Sequence, residues 1–210
     1  MSLRRSLRVV VFCGLALVGG TVVPVLGAEK KAPAPKAPPL PGAGTGGATP
    51  HATTSAVIGA SRQTGSMLTI TYGRPFLKHP RTGEVRKVWG GLVPWDKAWR
   101  LGADEATTII AQHDLQIGAT TIPAGVYTLY LVPSQSGKSL LAFSRNIGKW
   151  GVPVDEKSDV ARVEAKKQTI PEMVEQLTIQ VQNTPAQSMN GVLRIRWENT
   201  EFAVPFTVKK

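Results

Sequence analysis

Apolar and polar residues alternate with a period of two along most of this chain from about residue 56 onward. Leu68, Ile70 and Tyr72 alternate with Thr69 and Thr71. Leu177, Ile179 and Val181 alternate with Thr178, Gln180 and Gln182, and Leu193, Ile195 and Trp197 alternate with Arg194, Arg196 and Glu198. Successive side chains of a strand point to opposite faces, so each run predicts a strand with one face on a core and one toward water. Val126 to Val132 is apolar or aromatic at nearly every position, which predicts a central strand covered on both faces. Shorter runs at Thr107 to Ala111, Leu115 to Ile117, Leu140 to Phe143 and Ala161 to Ala165 predict further strands, and the second of these continues through Gly118 to Ile122. Glu198-Asn199-Thr200 reads as a hairpin connection into Phe202, Val204, Phe206 and Val208. Pro205 cannot donate to a ladder, which predicts a sheet edge there. The pattern predicts an all-β fold, a single-domain and mainly antiparallel β-sandwich.

One stretch departs from that period. Pro94-Trp95-Asp96-Lys97-Ala98-Trp99-Arg100-Leu101 ends at Gly102, with a proline suited to a first turn and a glycine suited to a C-terminal cap. It predicts a short helical turn near residues 94–101, with Trp95 and Trp99 on one face and Asp96 and Arg100 on another.

The first quarter of the chain has no such pattern. Arg4, Arg5 and Arg8 precede an apolar run from Val9 to Leu26, followed by Gly27-Ala28. A basic segment, an apolar segment and small residues predict a signal peptide over 1–27 and export to the periplasm or beyond the cell. Cys13, the single cysteine, lies inside the apolar run, so the processed chain has no thiol and no disulfide. Residues 28–55 read as a Pro/Ala/Gly-rich linker, because Ala32-Pro33-Ala34-Pro35 and the prolines after it favour extended chain. The folded domain is expected over 56–210, ample for one core.

Charge narrows the partners. The formal net charge is +11, and loss of Arg4, Arg5 and Arg8 leaves +8. That balance suits anionic partners such as phospholipid head groups, lipopolysaccharide, acidic wall polymers or nucleic acid, and equally a soluble basic exported protein whose lysines are simply solvated. Export and the lack of a nucleic-acid-binding signature argue against nucleic acid. Membrane contact is expected only through an uncleaved signal or a basic surface. His51, His79 and His113 are far apart in sequence without ligand spacing, and no nucleophile elbow or phosphate loop is present, so neither metal nor organic cofactor is expected. No oligomeric state follows from the pattern.

Several segments carry a family resemblance. They include Tyr72-Gly73-Arg74-Pro75, Trp89-Gly90-Gly91-Leu92-Val93-Pro94-Trp95, Trp99-Arg100-Leu101-Gly102-Ala103-Asp104-Glu105 and Ile122-Pro123-Ala124-Gly125-Val126-Tyr127. Trp150-Gly151 and Arg196-Trp197-Glu198-Asn199-Thr200 extend them. Together they resemble the bacterial family called domain of unknown function 2911, a resemblance that implies an exported β-protein and no stated activity. The family's usual Gly-Ala-Asn-Glu is Gly102-Ala103-Asp104-Glu105 here. Its short Lys-Gly-Arg turn is replaced by the longer, more basic Lys78 to Lys87.

The candidate ligand site is Trp95, Trp99, Arg100, Asp104 and Glu105: an arginine and carboxylates among flat aromatic faces suit a glycan or other polar ligand. Asp104 and Glu105 are also the weak candidates for an acid–base pair in glycoside hydrolysis, although adjacent strand residues face opposite ways. The structural alternative is that the arginine pins a turn while the tryptophans fill core. Arg74 to Lys87 forms a second, basic candidate, weighed against a solvated hairpin. The leading expectation is a non-catalytic extracytoplasmic binding or scaffold module for a glycan or envelope component. A carbohydrate hydrolase using Asp104 and Glu105, and a structural envelope protein, are the alternatives.

Overall fold

The computed structural model describes residues 49–210. The expected signal peptide over 1–27 and the expected linker as far as residue 48 lie outside the described residues. The strands in chain order are β1 (His51–Ile58), β2 (Ser66–Gly73), β3 (Thr108–Ala111), β4 (Asp114–Ile117), β5 (Thr120–Ile122), β6 (Gly125–Val132), β7 (Ser139–Ser144), β8 (Asp159–Asn183) and β9 (Asn190–Lys209). They form one nine-stranded sheet in the order β1-β2-β3-β6-β7-β8-β9-β4-β5, with every strand pair antiparallel. The sandwich-like core arises because this single sheet folds over at its two long strands. Tyr72 at the end of β2 accepts a hydrogen bond through its hydroxyl from the Ile179 N–H of β8 at 2.9 Å, and side chains from both arms share one apolar cluster.

The central-strand expectation holds for the middle of the run and not for Val126, which is exposed. Tyr127 to Leu131 of β6 are buried at every position. Tyr127, Leu129 and Leu131 enter the shared core, and Tyr130 faces the other way. Its hydroxyl donates to Asp159, whose carboxyl also receives Arg162 at 2.7 Å. Burial, reinforced by that carboxylate, pushes the Tyr130 phenol well above its ordinary value.

Strand β1 begins at His51, ahead of the expected domain start at 56. Thr53, Thr54 and Ser55 resemble linker in composition, but on an edge strand two of their hydroxyls pair across to β2: Thr53 with Thr71 at 3.1 Å and Ser55 with Thr69 at 3.0 Å. The expected hairpin at Glu198-Asn199-Thr200 is instead a bend inside one continuous strand. Glu198 takes φ 52, and the β8–β9 register shifts nearby. Across this bend the buried positions change from Leu193, Ile195 and Trp197 to Phe202, Val204 and Phe206, so both sets face the core, while the extra residues of the register shift lie in β8 between Thr169 and Thr178.

Pro205 does not mark a sheet edge, because β9 lies between β8 and β4. The β8 register ends at Ala203 and the β4 register starts at Thr207, so the proline sits at the handover.

The helical turn expected over 94–101 is absent. Residues 95–96 form a turn, and the helical element among the described residues is the 3-10 turn Glu156–Ser158, capped by the Asp155 side chain. Asp96 sits at φ 58, which ends any helix there. The Asp96 N–H donates to the Pro133 carbonyl at 2.7 Å, and the Trp99 N–H donates to the Leu131 carbonyl at 2.8 Å. An eight-residue helix is marginal by itself, and these tertiary backbone bonds outcompete it.

Candidate functional site

The segment from Trp89 to Glu105 runs across the mouth of the folded sheet, and its tryptophans organise it. Trp89 stacks on Trp95 with ring centres 6.0 Å apart, and Trp99 stacks on Trp197 at 6.0 Å. Trp89 meets Trp99 edge-on at 5.9 Å, which joins the two stacks. Trp95 and Trp99 therefore converge without the helix expected to align them. Trp95 is half-buried, with the Lys167 ammonium 4.7 Å from its ring centre. Three non-glycine residues of this stretch, Asp96, Leu101 and Asp104, occupy the left-handed region at φ 58, 59 and 63. Each costs on the order of 1 kcal/mol, and such strain concentrates at functional sites.

A cleft of about 990 Å³ opens beside this segment. Trp99 and Arg100 line it, as do Phe76, Leu92, Val152 and the edge of the buried Trp197. Arg81, Arg86 and Lys97 add three cations to Arg100. None of these four forms an ion pair among the described residues. The carboxylate in the lining, Glu156, is engaged by Arg162. The result is an apolar lining, its Phe76, Leu92 and Val152 exposed at the rim, beside an excess of positive charge.

The two sequence candidates thus meet at one place. Arg100, expected on one helix face with Asp96, turns to Trp150: its Nη1 donates to the Trp150 carbonyl at 3.2 Å and its guanidinium lies 5.2 Å from that ring's centre. From the basic stretch, Arg81 and Arg86 reach the cleft. Arg74 does not; its guanidinium donates to the Leu177 carbonyl at 3.1 Å and to the Thr178 hydroxyl at 3.3 Å. The stretch forms a hairpin tip, with the His79 N–H donating to the Glu84 carbonyl at 2.8 Å, and His79 Nδ1 accepting from the Arg81 and Thr82 N–H groups. Lys97, Leu92 and Val152 escaped the sequence reading, since single lysines and aliphatics in turn-rich segments carry no local signal.

Trp95, Asp104 and Glu105 fall outside the cleft lining. One Asp104 carboxylate oxygen is buried without a hydrogen-bond partner. Glu105 is exposed and accepts from His51 Nε2 at 2.8 Å. His51 therefore belongs to β1 and to a side-chain contact, not to a linker. The Glu105 N–H, and after it the His51 hydrogen bond, hold this carboxyl below its ordinary value. A depressed folded-state value makes the interaction fully present above the unfolded value near 4.5 and lost as pH falls through the folded one. We expect a carboxyl NMR titration to place Glu105 below 4.5 and His51→Ala to move it partway back. An unchanged midpoint in that variant would remove His51 from the account.

A family model described as protein of unknown function (DUF2911) matches residues 50–206. No curated protein and no solved structure matches the chain.

Proposed function

Because the chain belongs to the family described as protein of unknown function (DUF2911), its role has to be argued from its geometry, and we propose that it is an exported, non-catalytic binding module that takes an anionic envelope component or glycan in the cleft beside Trp99 and Arg100. The observation carrying this reading is the placement of four cations without ion-pair partners around one apolar-lined cleft. A concave site with an apolar lining and a few convergent polar groups is the usual form of a small-ligand site. The strained backbone at Asp96, Leu101 and Asp104 supports it, because those residues hold the wall that carries Lys97 and Arg100.

The hydrolase alternative draws less support. A general acid or base has to reach the reacting bond, and neither Asp104 nor Glu105 lines the cleft. Calorimetry with inorganic phosphate, an acidic oligosaccharide and a neutral oligosaccharide tests the reading on the full chain. We expect saturable binding of an anionic probe, weakened at least tenfold in Lys97→Glu and Arg100→Glu with the thermal midpoint retained. Asp104→Asn and Glu105→Gln should bind like the parent. Anion binding indifferent to both charge reversals, or no binding of any probe, sinks the proposal.

A further inference from the structure

We propose that the rim of this cleft docks on an anionic phospholipid bilayer, with Phe76, Leu92 and Val152 entering the headgroup region while Arg81, Lys97 and Arg100 meet lipid phosphates. The inference rests on the reading of the cleft as a binding site and names its partner. Phe76, Leu92 and Val152 are 40, 47 and 63% exposed, and all three line the one cleft. Scattered exposed aliphatics need no explanation, but several around one opening, interleaved with cations, mark an interaction surface. Trp150, 54% exposed, stands at the same rim through its two contacts with Arg100. An indole, with an apolar body and a polar N–H, suits the boundary between headgroups and acyl chains.

Charge complementarity selects the lipid. A soluble anionic glycan would satisfy the cations and leave Leu92 and Val152 in water. An anionic bilayer covers both, because its phosphates lie beside an apolar layer within reach of short side chains. Each lysine or arginine near such a surface adds roughly fivefold to the affinity, and salt screens that gain. The contact is made by loops: the hairpin tip at Arg81, the turn carrying Leu92 and the segment around Val152. Thr49 and Pro50 line the same cleft.

The test is co-sedimentation of the full chain with vesicles of phosphatidylglycerol and phosphatidylcholine, compared with phosphatidylcholine alone. The apolar run Val9 to Leu26 is common to all variants, so differences between variants are the readout. We expect Arg81→Ala with Lys97→Ala to weaken binding to the anionic vesicles roughly twentyfold. Leu92→Asp with Val152→Asp should weaken it at least tenfold. Both double variants should keep the parent's thermal midpoint and change little on neutral vesicles. Parent-like binding by both overturns the proposal. Soluble dihexanoyl phosphatidylglycerol separates this failure from the broader one. If the short lipid binds in a Lys97-dependent way while vesicle binding ignores the variants, bilayer docking falls and the cleft reading survives. If neither probe responds to the cleft variants, both fall.

Discussion

Trp197→Ala is expected to lower the unfolding free energy by about 3–5 kcal/mol, the range for truncating a fully buried large aromatic. Trp197 has no exposed surface. Its ring stacks on Trp99 at 6.0 Å and meets Trp89 edge-on at 6.5 Å, and its carbonyl accepts from Trp89 Nε1 at 3.4 Å. The neighbours cannot easily close the void, because Trp99 is fixed by two backbone bonds to Leu131, both 2.8 Å, and Trp197 itself lies in the interior strand β9. A rigid surround keeps the cavity open, which pushes the cost toward the upper end. Trp197→Phe should cost less, since it keeps most of the volume and removes an indole nitrogen that is buried without a partner. Trp150→Ala provides the contrast: at 54% exposure it should stay within about 0.5 kcal/mol of the parent. Urea unfolding of the three variants at constant m-value decides the matter. A Trp197→Ala loss below about 1 kcal/mol would mean that the tryptophan cluster does not organise this part of the core.

How legible this arrangement is in the sequence depends on the range of the interactions behind each part. Strands β2, β4, β6 and β7 are readable because alternation or continuous apolarity is local, and each lies close to where the pattern places it. Strand β1 is missed because its Thr-Thr-Ser core gains its ladder only from Thr69 and Thr71 across the sheet. The 94–101 segment carries sound local helix signals, but the carbonyls of Leu131 and Pro133, which redirect it, are more than thirty residues away. At Glu198 the change of buried parity is visible in sequence; a hairpin turn and a bend within one strand both explain it, and only the pairing with β8 on both sides of Glu198 selects the bend. The cleft is the least legible part. Its wall is assembled from Thr49, Phe76, Arg81, Lys97, Val152 and Trp197, positions brought together by nonlocal strand pairing. The aromatic and charged block marks the neighbourhood, while Phe76, Arg81 and Val152, which complete the lining, come from segments far from it in sequence.

Gly73→Val is expected to cost about 3 kcal/mol and to disturb ligand binding together with stability. Gly73 closes strand β2, and a Cβ placed there would stand 2.0 Å from the Ala103 carbonyl oxygen and 2.8 Å from its carbon. The opposing residue is equally bare: a Cβ on Gly102 would lie 3.0 Å from the Gly73 carbonyl oxygen. Two glycines thus let the 101–104 backbone lie directly on the strand end, and Gly102 and Ala103 form part of the cleft wall. A side chain at 73 meets backbone, which cannot swing aside as a flexible side chain would, so the wall must move or the strand end must peel from His51, its partner in β1. Gly83→Ala separates this steric effect from loss of glycine's conformational freedom. Gly83 has φ 73 and nothing within 4 Å of an added Cβ, so its substitution should cost only about 1 kcal/mol and leave the wall in place. Thermal unfolding and anion binding measured on both variants test the contact. If Gly73→Val retains the parent's midpoint and affinity, the close approach is slack and does not hold the cleft wall. If it keeps the midpoint but loses binding, the strand end tolerates the side chain by displacing the wall, which ties this pair of glycines to the ligand site through position alone.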